Sequence, residues 1–289
     1  MHTKTNALGE RVAFLMKIFT NWGFWGIIIL LAMGAGTSAL LVNQIFHLPP
    51  IAHTVFSVVF SIFPGLLWLY FFYIQDKYDR EPHTHLLGVY FLGALMAYGF
   101  SMPLEGLFNQ THPYKLGGGL ADFAQSILIF ACIHQLTKFL VVRYTIYNSS
   151  EFNEPADGVI YSIAVSLGFA SAYNMVYLNS LDAINMAVVP IRIIEYYLVS
   201  AVLGGLMGYF IGKAKFEPTR REIWMVVGFL LTVVLDGVYN TVSDSLHSYQ
   251  DFNVWKGLAF SGVAVLLVYA VMYYLLQKSL ELSPFKPRK

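Results

Sequence analysis

The chain has 289 residues, 57% of them hydrophobic, 16% aromatic and only 12% charged, about half the charged share of an ordinary soluble domain, which excludes a water-soluble globule. Its 18 basic and 17 acidic residues leave a net charge of +1, so no chain-wide field draws it to nucleic acid or to an acidic partner. A mean hydropathy of +0.58, with Gly and Pro spread along the chain, excludes disordered, collagen-like and coiled-coil classes and leaves a polytopic helical membrane protein.

A spanning helix needs about 20 mainly apolar residues. Stretches near 22–46, 51–75, 86–108, 120–144, 157–179, 189–212, 221–243 and 255–277 meet that length. The first comes after a segment carrying Lys4, Arg11 and Lys17 and is too long for the apolar core of a cleaved signal peptide, so it is read as a retained helix. With the N-terminus cytoplasmic, fourteen basic residues fall on the inner side, from Lys4 through Arg80, Arg143 and Lys215 to Lys289, against Lys115 and Lys256 outside. That asymmetry sets the orientation. The expected fold class is therefore all-α: a polytopic membrane protein of about eight transmembrane helices in one bundle, with N- and C-termini cytoplasmic. The loops are too short for a separate soluble domain, so residues 1–289 are expected to form a single integral membrane domain. The one cysteine, Cys132, lies in an apolar run and excludes an intramolecular disulfide or a cysteine-based zinc cluster.

Charge inside a span costs at least ~2.5 kcal/mol near the bilayer centre unless it is paired or reaches the interface. Glu105, Lys138, Arg192, Glu195 and Asp236 therefore each need a partner. In the fourth span His134 and Lys138, four residues apart, share a face with Gln135 beside them; such a face suits a metal or substrate site, or a hydrogen bond to a neighbouring helix with Lys138 snorkelling or paired. The fifth span carries Ser166, Ala170 and Asn174 at four-residue steps. The sixth carries Gly204, Gly208 and Gly212 at the same spacing, a pattern that lets backbones approach closely, and Arg192 and Glu195 near its outer end, spaced to neutralise each other. Thr232, Asp236 and Asn240 form a polar stripe on the seventh that must face protein or water. Tyr161, Tyr173, Tyr177, Tyr196 and Tyr197 belong to an aromatic surplus expected near membrane interfaces. No phosphate-binding glycine loop, His-Glu-x-x-His helix, nucleophile elbow or paired-cysteine motif is present.

Two loop motifs extend this reading: Tyr78-Asp79-Arg80-Glu81-Pro82, and Phe152-Asn153-Glu154-Pro155-Ala156-Asp157-Gly158 leading through Tyr161 into Leu167-Gly168-Phe169-Ala170. With Asn174 and Tyr177 they resemble the PrsW family of intramembrane proteases from about Tyr78 to Asn240, with a core of about 78–243. Pro155 stops helix continuation and Asp157 can cap the fifth span. The resemblance implies a bacterial cytoplasmic membrane and an active site on the fourth to seventh spans. There, where PrsW-like proteins carry Glu-Glu-x-x-Lys, this chain has His134-Gln135-Leu136-Thr137-Lys138. The glutamate expected before Asn174 is Tyr173, the histidine expected beyond Arg192 falls near Ser200, and His-x-x-x-Asp becomes Thr232 to Asp236.

Peptide hydrolysis needs a water activated by a metal or a carboxylate base, and a metal held by about three protein ligands. The family positions offer only His134 and Asp236, and the sequence places neither Glu105 nor Glu195 beside them. The resemblance with these replacements therefore implies a catalytically inactive relative that binds or regulates transmembrane segments of other membrane proteins in the lipid bilayer, with no cofactor. Lys138 and Asp236 would then be a structural buried pair. The alternative is an active intramembrane metalloprotease with zinc on His134, Asp236 and one further acidic residue. A third expectation, a small transporter or channel, uses the same charges as a path, though the sequence carries no inverted repeat or broken-helix pair.

Overall fold

The computed structural model describes residues 45–74, 80–111, 126–186, 188–247 and 254–285, together with single positions 25, 26, 28, 29, 32, 33, 36, 40 and 124. The first expected span and the start of the fourth lie largely outside these residues. Helix α1 (Pro50–Tyr73) opens with proline in its first turn, where the missing N–H costs nothing. Helix α2 (His83–Met96) runs through a π-helical turn at Ala97–Ser101 into α3 (Met102–Thr111). A second π-helical turn, Ser126–Ala131, leads into α4 (Cys132–Thr145). Beyond it come helices α5 (Pro155–Asn179), α6 (Val189–Phe216), α7 (Arg221–His247) and α8 (Val254–Glu281), with a short 3-10 turn at Pro218–Arg220 before α7.

The protein is an all-α polytopic membrane protein. Among the described residues, five segments are long and apolar enough to cross a bilayer: Pro50–Tyr73, His83–Gln110, Pro155–Asn179, Val189–Phe216 and Pro218–Val242. One departure from the expected spans is at Ile45–Phe46, assigned to the end of the first stretch. These residues instead form a two-residue antiparallel pairing, Ile45 with Asn185 and Phe46 with Ile184, that ties the entry to α1 to the loop before α6.

Burial sorts the helices. In α5 and α6, 83% and 78% of the apolar window is buried, against 33% or less in α1, α2–α3 and α7. A helix that is apolar all round and buried all round is a central one, so α5 and α6 form the axis and the others surround it with their apolar outer faces, such as Leu67, Leu95 and Leu230, exposed. The expected small-residue seam is that axis: a Cβ on Gly208 would strike the backbone of Gly158. The α2–α5 crossing is equally close, since a Cβ on Gly168 would strike the carbonyl of Tyr90.

One end of the bundle is tied by its loops. Asp157, in the first turn of α5, accepts the N–H groups of Asn153 and Glu154 at 2.7 Å each, which is the return half of a capping box. Tyr161 donates to Glu81, Lys215 donates to the carbonyl of Tyr147 at 2.6 Å, and Ser283 donates to Glu154. Glu81 of the first motif therefore packs against α5, and the second motif against the residues just after α8. The tyrosines also depart from the interfacial belt expected of them. Tyr161 and Tyr197 are fully buried, and the Tyr197 hydroxyl donates to the carbonyl of Ser61 with Ser171 Oγ 3.0 Å away, because a phenol lets a central helix bury a large ring while its hydroxyl answers a polar group across the interface.

Gly168→Leu should destabilise the protein by about 3 kcal/mol or more, since the backbone of α2 leaves no room for a side chain. Gly99→Leu, where nothing lies within 4 Å of an added Cβ, should be near neutral. Thermal unfolding in detergent, read from a fluorescent thiol or tryptophan signal, compares the two.

Candidate functional site

Five helices bring polar side chains to one place inside the bundle. The π-helical turn at Ala97–Ser101 hands over to α3, where Glu105 projects one turn beyond Ser101; the turn at Ser126–Ala131 hands over to α4 and His134. Such turns add a residue per turn and re-aim the side chains beyond them, and they recur at functional sites. Helix α5 supplies Phe169 and Tyr173, α6 supplies Ser200, and α7 supplies Asp236 and Asn240.

The imidazole of His134 stands at the centre. Its Nε2 lies 2.8 Å from Glu105 Oε1 and its Nδ1 lies 3.5 Å from Asp236 Oδ2. Each carboxylate has further donors. Gln135 donates to Asp236 Oδ2 at 2.8 Å, and Asn240 to Oδ1 at 3.1 Å; Tyr173 donates to Glu105 Oε1, with Ser101 more distant at 3.4 Å. The ring packs edge-on against Phe169 and Tyr173, with centroids at 5.3 and 5.1 Å, and those two rings stack at 4.7 Å. Burial has the same pattern, with Gln135 fully buried and His134 and Asp236 at 8% and 5% exposure. Buried charge is tolerable only with partners of this kind.

Lys138 also lies inside, at 4% exposure, and does not snorkel. It donates to Ser200 Oγ at 3.5 Å and sits 4.7 Å from the centre of the Phe169 ring. Among the described contacts the expected Lys138–Asp236 pair is not a direct one: Asp236 is held by His134, Gln135 and Asn240, while Lys138, close enough for the two charges to act on each other, turns toward α5 and α6. The expected Arg192–Glu195 pair is likewise not formed. Arg192 lies over the Tyr177 ring at 3.3 Å and Glu195 accepts from Tyr239, because α6 has α5 on one side and α7 on the other and each charge turns to a different neighbour.

Of the residues singled out in the sequence, His134, Gln135, Asp236 and Tyr173 join one network, and Lys138 and Ser200 form a second contact beside it. Thr232 is buried and, among the described residues, donates to the carbonyls of Gly228 and Phe229 on its own helix, at 2.9 and 3.0 Å. Glu105 is the residue that sequence reasoning did not place. Its signal was modest: Ser101 and Glu105 sit four apart on an otherwise apolar helix, so they share a face, but spacing on one helix says nothing of which other helix that face meets.

Comparison with known proteins gives one family. The family described as PrsW family intramembrane metalloprotease matches residues 81–276. Among curated relatives, Protease PrsW of Geobacillus kaustophilus is 33% identical over 190 residues, covering 64% of this chain and 79% of that protein. Protease PrsW of Bacillus subtilis is 28% identical over 200 residues, covering 68% and 86%. Protease PrsW of Oceanobacillus iheyensis is 30% identical over 192 residues, covering 65% and 83%. No solved structure matches the chain.

The metal that the family description implies needs about three ligands around a single point. Among the described residues, no group of three His, Cys, Asp or Glu is so arranged. Glu105 and Asp236 address opposite nitrogens of one ring, so the imidazole stands between them and the three cannot converge. In this arrangement the residues do not fit the metal.

The network should behave as one unit. His134→Ala leaves the buried Asp236 and the half-buried Glu105 without their shared partner and should cost about 3 kcal/mol. Adding Glu105→Gln and Asp236→Asn to that variant should recover part of the loss, a coupling of about 0.5–3 kcal/mol. Thermal unfolding of the single, double and triple variants in one detergent measures it; strictly additive losses would exclude the network.

Proposed function

Because the chain belongs to the PrsW family of intramembrane metalloproteases, we propose that it keeps that family's membrane scaffold but binds transmembrane segments of other membrane proteins without hydrolysing them. The observation that carries this reading is the way His134 is held. Hydrolysis needs a water or a metal aimed at the scissile carbonyl by groups with capacity to spare. Here both nitrogens of the imidazole lie against carboxylates, Tyr173 donates into the carboxylate of Glu105, and Gln135 and Asn240 donate into Asp236. Tyrosine and serine also stand at two of the positions where the family resemblance expects glutamate and histidine. A set of groups that answer one another is a stable polar core for a helix bundle. Just before the helix that carries Glu105, Leu95 and Tyr98, three residues apart and exposed at 64% and 60%, present an apolar face against which a partner helix can lie.

A second reading is favoured by one contact. Glu105 and His134, 2.8 Å apart, are an acid and an imidazole of the types that move protons in hydrolysis, and they would serve a protease that has rebuilt its site from α3 instead of α5.

Two measurements separate these. Purified protein and its His134→Ala variant are assayed for bound zinc, and a photocrosslinker at Tyr98 is used in cells to capture a transmembrane partner. The proposal expects no zinc that depends on His134, and a crosslinked partner recovered at full length with or without His134. Zinc near one per chain that is lost in His134→Ala, or a partner cleaved by the wild type and intact with the variant while the variant stays folded, would establish the second reading instead.

A further inference from the structure

Far from the polar network, an apolar cleft of about 230 Å³ opens between the end of α1 and the start of α2. Leu69 and Leu86 form its buried floor, at 6% and 3% exposure; Tyr70 and Leu87 form its rim, at 64% and 40%. Leu66 closes one wall. The cleft faces outward from two helices whose apolar windows are only a third buried, so it opens onto the surrounding bilayer. His83 and Glu105 are 22 residues apart, roughly 33 Å by helix rise, which separates the cleft from the site described above. An apolar cavity of roughly 150 Å³ in a protein core is already large enough to take up benzene, and this one is larger and open to hydrocarbon.

The mouth of the cleft has a different chemistry from its walls. His83 and Tyr73 line it, with ring centroids 4.7 Å apart, and the Arg80 guanidinium lies 5.8 Å from the centre of the Tyr73 ring. Helix α2 begins at the same point, with Pro82 at its N-cap, no side-chain cap and no acidic residue in its first turn. The positive end of the helix dipole therefore faces the mouth with no carboxylate from that turn against it. The neighbouring carboxylate, Glu81, is turned into the bundle, where it is buried and accepts from Tyr161. A guanidinium, an imidazole and a helix N-terminus around the opening of a hydrocarbon cleft complement an amphiphile with an anionic head.

We propose that this cleft is a binding site for an anionic phospholipid, one acyl chain lying between α1 and α2 and the phosphate held at Arg80, His83 and the first N–H groups of α2. The basic residues that the sequence gathers on this side of the membrane, Arg80 and Arg143 among them, set the same preference on a broader scale. The cleft would fasten two outer helices of the bundle, α1 and α2, to the leaflet rather than to each other.

Native mass spectrometry of the full chain, released from nanodiscs of equal phosphatidylglycerol and phosphatidylcholine, tests this. One phosphatidylglycerol should stay bound per chain after the remaining lipid is stripped. Leu66→Trp, which fills the cleft, should reduce that retention by about tenfold; Leu87→Trp, at the exposed rim, should do the same if the first variant folds poorly. Arg80→Gln with His83→Gln should keep a lipid but lose the preference for phosphatidylglycerol. Retention unchanged by the tryptophan variants that fold, a preference unchanged by the double glutamine variant, equal retention of both lipids or of detergent as an adventitious amphiphile only, or a second copy of the chain in place of lipid would each overturn the proposal.

Discussion

A carboxylate buried among membrane helices has no water to answer it, so a donor must come from another helix, and that requirement organises this protein. Asp236 on α7, buried, and Glu105 on α3, half-buried, would each be costly alone. His134 on α4 lies between them and touches both. Three helices far apart in sequence are thereby tied at one point, and α5 adds Tyr173 as a fourth tie. The polar groups are expensive to bury and costly to separate, so they fix which face of each helix points inward more sharply than apolar packing does.

The scaffold that allows this is the closeness of α5 to its neighbours. Glycines at 158, 168 and 208 bring backbones into contact, and in a bilayer, where apolar side chains gain nothing by leaving lipid for one another, such close approach is a main source of helix association. With α5 and α6 pressed together, Phe169 and Tyr173 present a stacked aromatic wall to His134, and Ser200 comes within reach of Lys138. The capped loop before α5 holds its start in register through Asp157 and through the contacts of Glu81 with Tyr161 and Glu154 with Ser283. The two loop motifs that carry the family resemblance thus act at a distance from the polar network, by setting the height and rotation of the helix that lines it.

The family match and the arrangement of the polar side chains depend on different parts of the chain. The match over residues 81–276 covers the scaffold, which depends on glycines, caps and loop geometry. The chemistry depends on a few side chains that can change while the scaffold stays. Where the family resemblance expects a glutamate on α5, Tyr173 donates a hydrogen bond instead, and the carboxylate it meets is supplied by Glu105 from α3.

The sequence by itself determined the class of the protein, because the length and apolarity of a spanning helix and the need to explain each buried charge are local properties readable along the chain. It also determined the seam of Gly204, Gly208 and Gly212 and that His134 and Lys138 share a face, since residues four apart must share a helix face. It suggested two pairs, Lys138 with Asp236 and Arg192 with Glu195, whose members make direct contacts with other residues, Ser200, His134, Tyr177 and Tyr239 in turn, and it left Glu105 without a place. Those were decided only by the tertiary structure: a charge chooses its partner by which helix lies beside it and by how the helix is rotated. The π-helical turns at Ala97–Ser101 and Ser126–Ala131 alter that rotation by an amount that a regular 3.6-residue periodicity does not contain.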